Sequence, residues 1–535
     1  FRFKKLDRVG AADAEDDKNF LAECFIDIGA KQVLVDCEDA RRIILGRTGS
    51  GKTALLHQIA KEEENVIAVQ PESLALSYIS NSNILKFISE LGVDLDVFFK
   101  LLWRHVFTVE ILKRHFKLQD EAAQRSFFDK FIEFFDQNAA KNKRALDYLN
   151  VWGKKFWEET EYRIKELTNN LEKELKISIA SSGIPGTEIS VEGARKLTEG
   201  QRTEIITRAQ YVINNVQIRE LSTIIELIDD VLTDPQRRYY ITIDRLDENW
   251  VEDRIRYKLI KALIETVRDF RRVRYAKIII ALRFDLLDRV VQQSRYAGFQ
   301  EEKYQSLFLP LEWSKAYLAS ILDSRVNFLV RQRYTSRQVH LSDIVPEKVA
   351  GEPAIDYFLS RTSMRPREVI LFLNKCIEQA DNNAQITVEM IKLAEGEYSR
   401  DRLHSLGDEW RSDYPNLVQF AMALKGRPSH FVIRDLDLTD FCLEVLSSHS
   451  DILVNDALYV DAKKVFDGNM TEIEYRKLLV SIFYKVGLIG LKLESFERYS
   501  WSTTWVGPVS PTEIQENTKV HVHPTFHRVL GIRTN

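Results

Sequence analysis

The octet Gly46-Arg-Thr-Gly-Ser-Gly-Lys-Thr53 constrains this chain more than any other feature. It has the G-x-x-x-x-G-K-[ST] spacing. It sits between an apolar strand candidate, Arg41-Arg-Ile-Ile-Leu45, and a helix candidate opening near Lys52. Glycines at these positions let the backbone curl until successive N–H groups converge on an anion. The helix start adds the positive end of its dipole. In that arrangement Lys52 reaches the β- and γ-phosphates of a nucleotide and the Thr53 hydroxyl ligates Mg²⁺. Gly46, Arg47, Thr48, Gly49, Ser50, Gly51, Lys52, Thr53 and the following Ala54 are therefore the candidate nucleotide contacts, with ATP and Mg²⁺ as the expected cofactors. No guanine-recognition motif stands out, which favours ATP over GTP.

A phosphate loop needs a second carboxylate for the metal shell. The run Arg238-Tyr-Tyr-Ile-Thr-Ile-Asp244 reads as a buried strand ending in acid. That places Asp244 at the C-terminal edge of a sheet, where open α/β folds bind nucleotides. Asp247 or Glu248, just beyond, is the candidate base for the attacking water, with Asp247 slightly ahead; the alternative is that both acids start the next helix. Tyr275 to Arg283 is a further buried strand. Arg283 at its end either senses the γ-phosphate or pairs with Asp285 or Asp288. Arg289 and Arg295 are weaker candidates for acting on a neighbouring copy's nucleotide.

Strands alternating with helices predict a parallel α/β sheet. The expected organisation is an N-terminal segment with the first part of an ATPase core over 1–79, and a helical insertion over 80–235. The second part of the core follows over 236–309, a helical segment over 310–400 and a C-terminal α+β region over 401–535. Within the insertion, Leu149, Trp152, Phe156, Ile164, Leu167 and Leu171 recur at helical spacing. Residues 176–191 alternate about a Gly-Ile-Pro-Gly turn, as a hairpin tip does. An antiparallel helical arm is predicted there. Its aromatic cluster (Trp103, Phe127, Phe128, Phe131, Phe134, Phe135) reads as packing core, with partner binding as the alternative. Gly and Pro total only 33 of 535 residues (21 and 12), consistent with a helix-rich chain.

No apolar run is long enough to cross a membrane, and the four cysteines form no CxxC pair. The opening Phe-Arg-Phe-Lys-Lys leads into acidic residues and predicts no signal peptide. Together these point to a cytoplasmic protein. A net charge of -4 disfavours nucleic acid as a partner without removing it. Residues 401–535 carry 15 Lys/Arg against 18 Asp/Glu, although Arg476, Lys477, Lys485 and Lys492 could form a local basic face. His521-x-His523-x-x-x-His527 has metal-like spacing but no adjacent fourth ligand, and reads as a packed turn.

The loop GRTGSGKT, the strands ITIDRLDENW and IIIALRFD and the helix start SMRPREVILF resemble the STAND-like and AAA+ P-loop ATPases of prokaryotes. Within them the similarity is to a bacterial family with a long helical insert and a C-terminal segment like FYKVGLIGLK…HVHPTFHRVLGI. The resemblance implies that 310–400 is a helical lid supplying an arginine to the nucleotide, here Arg365 with Arg367 as its neighbour, and that 401–535 is a winged-helix-like domain. It also implies nucleotide-controlled switching, homo-oligomerisation, a protein effector or sensor partner and relatives in anti-phage defence. The family pattern has Glu directly after the strand-end Asp. Arg245 stands in that place, so the resemblance leaves the base open and implies slow turnover. The alternatives are an ATP-gated DNA loader or initiator, and a non-hydrolysing scaffold with structural nucleotide.

Overall fold

The structure is a computed structural model. It describes residues 1–71, 83–115, 169, 172–173, 176, 198–200, 202–203, 205–207, 221–248, 250–294, 301–333, 337–438, 441, 456–494, 496–502 and 509–534. Two compact units emerge. One holds residues 1–28, 47–51 and 312–535, and the other holds 29–46 and 52–311.

The second unit is an α/β core. Its sheet has five parallel strands: β1 (Ile43–Leu45), β2 (Val66–Val69), β3 (Tyr239–Ile243), β4 (Ala276–Leu282) and β5 (Phe308–Pro310), in the order β2-β3-β4-β1-β5. β3 and β4 are buried along their whole length. Both faces of these strands are covered, which explains their unbroken apolar runs. The register sets Ile43 beside Ile280 and Ile243 beside Ile280 as well, so β4 lies between the phosphate-loop strand and the acid strand. The helix Asp96–His115, read from sequence as part of the insertion, packs into this core. Trp103, assigned with the arm, is fully buried, donates its indole N–H to Leu259 O at 2.9 Å and stacks on Phe107. Ion pairs Lys261–Asp96, Arg104–Asp269 and Lys100–Glu265 tie that helix to Asp253–Asp269. Lys277 enters from β4 and donates to the carbonyls of Val33 (2.8 Å) and Asp39 (3.1 Å), fastening the helix Ala30–Val35. The predicted arm, its hairpin and the five phenylalanines from 127 to 135 lie outside the described residues.

The first unit has two hydrophobic cores. One gathers Phe3 and Val9 with the helices Lys315–Arg333, Ala354–Ser360 and Pro366–Gln379, beside the two-stranded β6 (Lys348–Val349) and β7 (Glu352–Pro353). Residues 1–28, read with the ATPase core, group here. The carboxylate of Asp17 pairs with Arg325, both nearly inaccessible, and Asn374 bridges Val9 N (2.8 Å) and Gly10 O (2.9 Å). The other core belongs to the C-terminal α+β region. There β8 (His430–Val432), β10 (Lys519–Val522) and β9 (Ile489–Lys492) form an antiparallel sheet with the helix Glu472–Val486. The helix Val388–Glu409 contributes Ile391, Ala394 and Tyr398 to the first core and Leu403 and Leu406 to the second. The expected boundary at residue 400 therefore falls inside one continuous helix, about 33 Å long at 1.5 Å per residue. Among the described residues no helix is long and apolar enough to cross a membrane.

Candidate functional site: a phosphate loop and its acids

In the core unit, β1 delivers Gly46 and the helix Lys52–Glu62 begins where the sequence predicts. Gly49 and Gly51 take φ values of 77° and 93°. Side chains rarely adopt this left-handed backbone, which explains the glycines. The Gly46 amide donates to Leu282 O at 3.3 Å, joining the loop entry to the end of β4. Lys52 Nζ donates to Gly46 O at 3.0 Å.

Thr53 Oγ1 donates to Asp244 Oδ2 at 2.7 Å, although the two residues are 191 positions apart. The other oxygen, Oδ1, accepts the Arg245 amide at 2.8 Å. Arg245 adopts φ 59°, a left-handed conformation that costs a side-chain-bearing residue about 1 kcal/mol or more. This strained turn fixes the carboxylate toward Thr53. Two hard oxygens at this separation fit adjacent positions around Mg²⁺, whose ligands at about 2.1 Å stand about 3 Å apart in an octahedron. The Ser50 hydroxyl, buried with no hydrogen-bond partner among the described residues, is a spare donor for an anion. Both observations suit a Mg²⁺-nucleotide.

Burial pushes the Lys52 ammonium down to about 8, against the opposing pull of Asp244 and Asp247. A bound polyphosphate favours the charged form. Binding therefore takes up a proton once the free protein has lost it. Affinity for Mg²⁺-ADP is expected to be flat in this group below pH 8 and to fall about tenfold per unit above it. Titration calorimetry from pH 7 to 9.5 reads this directly, and constant affinity to pH 9.5 would contradict it.

Arg283 follows β4 and grips Asp285 with Nε and Nη2, each at 2.9 Å, while Nη1 donates to Asp247 Oδ2 at 3.0 Å. Of the two roles read for Arg283, the structure displays the pairing with Asp285. It adds a link to Asp247 that the sequence reading lacked. Glu248 is half-exposed, with Oε1 at 3.6 Å from Arg245 Nε. Both acids thus occupy the turn after β3 and neither opens the following helix, which starts at Asp253. Arg289 Nη1 lies 3.4 Å from the Tyr257 hydroxyl; Arg295 is outside the described residues.

In the other unit, the middle of the loop is held by its carbonyls. Arg365 Nη1 donates to Thr48 O at 3.1 Å, the Arg367 amide to Gly49 O at 3.3 Å, and Trp313 Nε1 to Ser50 O at 2.8 Å. The Arg47 side chain, read as part of the nucleotide contact, instead donates through Nη2 to Val486 O at 2.8 Å and lies 3.8 Å from Glu409. Arg365 precedes Pro366 at the start of the helix Pro366–Gln379, after Met364 at φ 54°. Its guanidinium is buried, with Glu368 at 3.5 Å and Glu409 at 3.8 Å. Burial pushes the Glu368 carboxyl up, but Arg402 at 3.0 Å and Arg365 outweigh that and hold it at about 2. Trp313, Glu368, Arg402 and Glu409 escaped sequence reading because no local spacing links them to the loop.

The histidine motif resolves as packing. His521 stacks on His430 with ring centroids 3.8 Å apart, His523 Nδ1 accepts the Thr525 amide at 3.2 Å, and His527 Nε2 donates to Val522 O at 2.8 Å. Burial pushes His521 down to about 4 and His523 to about 3. Among the described residues no group of three or more His, Cys, Asp or Glu side chains is gathered as a metal-binding cluster. The proposed basic face is diluted, since Arg476 pairs with Glu472 and Lys485 Nζ sits 5.5 Å from the centre of the Trp410 ring.

The parallel sheet, the phosphate loop leaving β1 and the acid after β3 decide the fold. The chain has a P-loop NTPase core. A family model described as "FunZ-associated C-terminal helical domain" matches residues 316–407, inside the first unit. An 80.3 kDa protein assigned to transposon gamma-delta in Escherichia coli (strain K12) is 21% identical over 547 residues, covering 99% of this chain and 68% of that protein. Among solved structures, a Walker-type ATPase of Pyrococcus abyssi is similar at a TM-score of 0.38 and 12% identity, over 98% of both chains. The ORC2 protein of Aeropyrum pernix, in ADPNP–ADP complexes, is similar at 0.32 and 12%, over 94% of this chain and 91% of its own.

Proposed function

We propose that this chain is a Mg²⁺-dependent, ATP-binding and ATP-hydrolysing switch of STAND/AAA+ type. In this reading it forms homo-oligomers and controls a protein effector, with anti-phage defence as the setting implied by the resemblance. The single observation that carries the enzymatic part is the Thr53–Asp244 hydrogen bond, which joins the end of the phosphate loop to the strand-end acid. Bound Mg²⁺ supplies positive charge to the polyphosphate oxygens. Lys52 Nζ holds the β- and γ-phosphates, and the loop amides orient them. Asp247 has one oxygen on Arg283 and keeps Oδ1 to orient a water and accept its proton; Glu248 is the alternative acceptor. Arg283 positions Asp247.

The test is multiple-turnover phosphate release. Wild-type protein is expected to turn over, slowly. The double variant Asp247→Asn/Glu248→Gln is expected to bind ATP normally and lose at least about a hundredfold in rate. An unaltered rate would overturn the base assignment. Absence of turnover in the wild type would overturn hydrolysis in favour of a nucleotide-bound scaffold.

A further inference from the structure

We propose that Arg47, Trp313 and Arg365 are positioning residues for nucleotide binding, and that Arg47 couples the phosphate loop to the C-terminal α+β region. This rests on the loop being a nucleotide site.

A phosphate loop works only when its amides face the anion. Its carbonyls must then face away, and a carbonyl removed from water needs a donor. Here three successive carbonyls, Thr48, Gly49 and Ser50, each receive a donor from residues 313–367: Arg365 Nη1, the Arg367 amide and Trp313 Nε1. These donors fix the peptide planes in the middle of the loop from a segment more than 260 residues downstream, and the Ser50 amide donates to Arg47 O at 3.2 Å within the loop itself. The packing is close. A Cβ on Gly49 would stand 2.7 Å from Arg367 Cβ.

Arg47 carries the linkage further. Its side chain occupies a variable position of the motif, where phosphate chemistry makes no demand. It is nonetheless 8% exposed and ends on the carbonyl of Val486, the last residue of the helix Glu472–Val486. Gly487 caps that helix at φ 86°, and a Cβ there would stand 2.7 Å from Arg47 Nη1. Glu409, ending the long helix Val388–Glu409, lies 3.8 Å from both Arg47 and Arg365. Glu368 then joins Arg365 to Arg402. The result is a chain of buried charges of alternating sign, from the loop through the lid helix to the C-terminal region. Such chains have few alternative arrangements at low dielectric. Moving the Val486–Gly487 helix end therefore releases Arg47 and loosens the loop. By linkage, nucleotide binding tightens that same helix end.

The experiment compares full-length wild type with Arg47→Met, Arg47→Lys and Trp313→Phe. Titration with Mg²⁺ and a non-hydrolysable ATP analogue gives Kd, and hydrogen exchange at residues 484–488 reads the helix end with and without nucleotide. Trp313→Phe keeps an aromatic ring and removes the N–H that reaches Ser50 O, together with part of the indole. Arg47→Met is expected to raise Kd at least tenfold, Trp313→Phe about fivefold, and Arg47→Lys to recover most of the loss. Nucleotide is expected to slow exchange at 484–488 in the wild type and not in Arg47→Met. Wild-type Kd and wild-type protection in both Arg47→Met and Trp313→Phe would overturn the proposal, even if melting temperatures fell. A wild type that binds no nucleotide would instead overturn the functional reading itself.

Discussion

Lys52→Ala should lower ATP affinity by at least about a hundredfold without lowering the melting temperature of the nucleotide-free protein. The affinity loss follows from charge-assisted hydrogen bonds, each contributing about 1.5–3 kcal/mol where an ammonium meets a phosphate. Two such bonds correspond to roughly 3 kcal/mol, or more than a hundredfold. The preserved stability follows from burial. In the free protein the ammonium is held in a desolvated position that depresses its pKa to about 8, and its hydrogen bond in the structure is to the Gly46 carbonyl. Near neutral pH that burial disfavours the charged, folded state, so removing the ammonium relieves a cost. Scanning calorimetry beside equilibrium binding separates the two effects. Near-normal affinity would remove Lys52 from the site, while a large fall in melting temperature would mean that the lysine holds the loop together.

The parts of this site legible in sequence are those whose chemistry is local. The octet specifies its own turn, because Gly49 and Gly51 take backbone angles few residues tolerate and Lys52 opens the helix. Strands β3 and β4 announce themselves as apolar runs ending in Asp and Arg. Strand order is different. β1 pairs with β4 and β5, partners more than 230 residues away, and no periodicity encodes that choice. β5 itself is only Phe308–Pro310, too short to interrupt a pattern read as helical from Pro310. The destination of Arg47 was equally hidden, since its hydrogen-bond partner lies 439 residues downstream. The arginine read among the nucleotide contacts has its Nη2 on the backbone carbonyl of a distant helix end. The histidine triad was the converse case, a metal-like spacing whose rings are consumed by stacking and by backbone hydrogen bonds.

Asp244→Asn removes the negative charge that would hold the metal while leaving an acceptor for the Thr53 hydroxyl. An asparagine Oδ1 can still accept the Thr53 hydroxyl, so the contact seen at 2.7 Å survives while the negative charge goes. The turn is less tolerant. Asp244 also takes the Arg245 amide on its other oxygen, and an amide NH₂ placed there would repel it. Turnover at saturating ATP and millimolar Mg²⁺ is therefore expected to fall about a hundredfold or more, with partial recovery as Mg²⁺ is raised. Binding of ADP with the metal chelated should change little or improve slightly, because a carboxylate near the polyphosphate has been neutralised. The opposite signs discriminate between roles. If Asp244 only braced the loop, affinity would drop equally with and without Mg²⁺, and no Mg²⁺ concentration would restore the rate. A variant that turned over normally would place the metal's protein ligands elsewhere and would remove the Thr53–Asp244 pair as the basis for an ATPase.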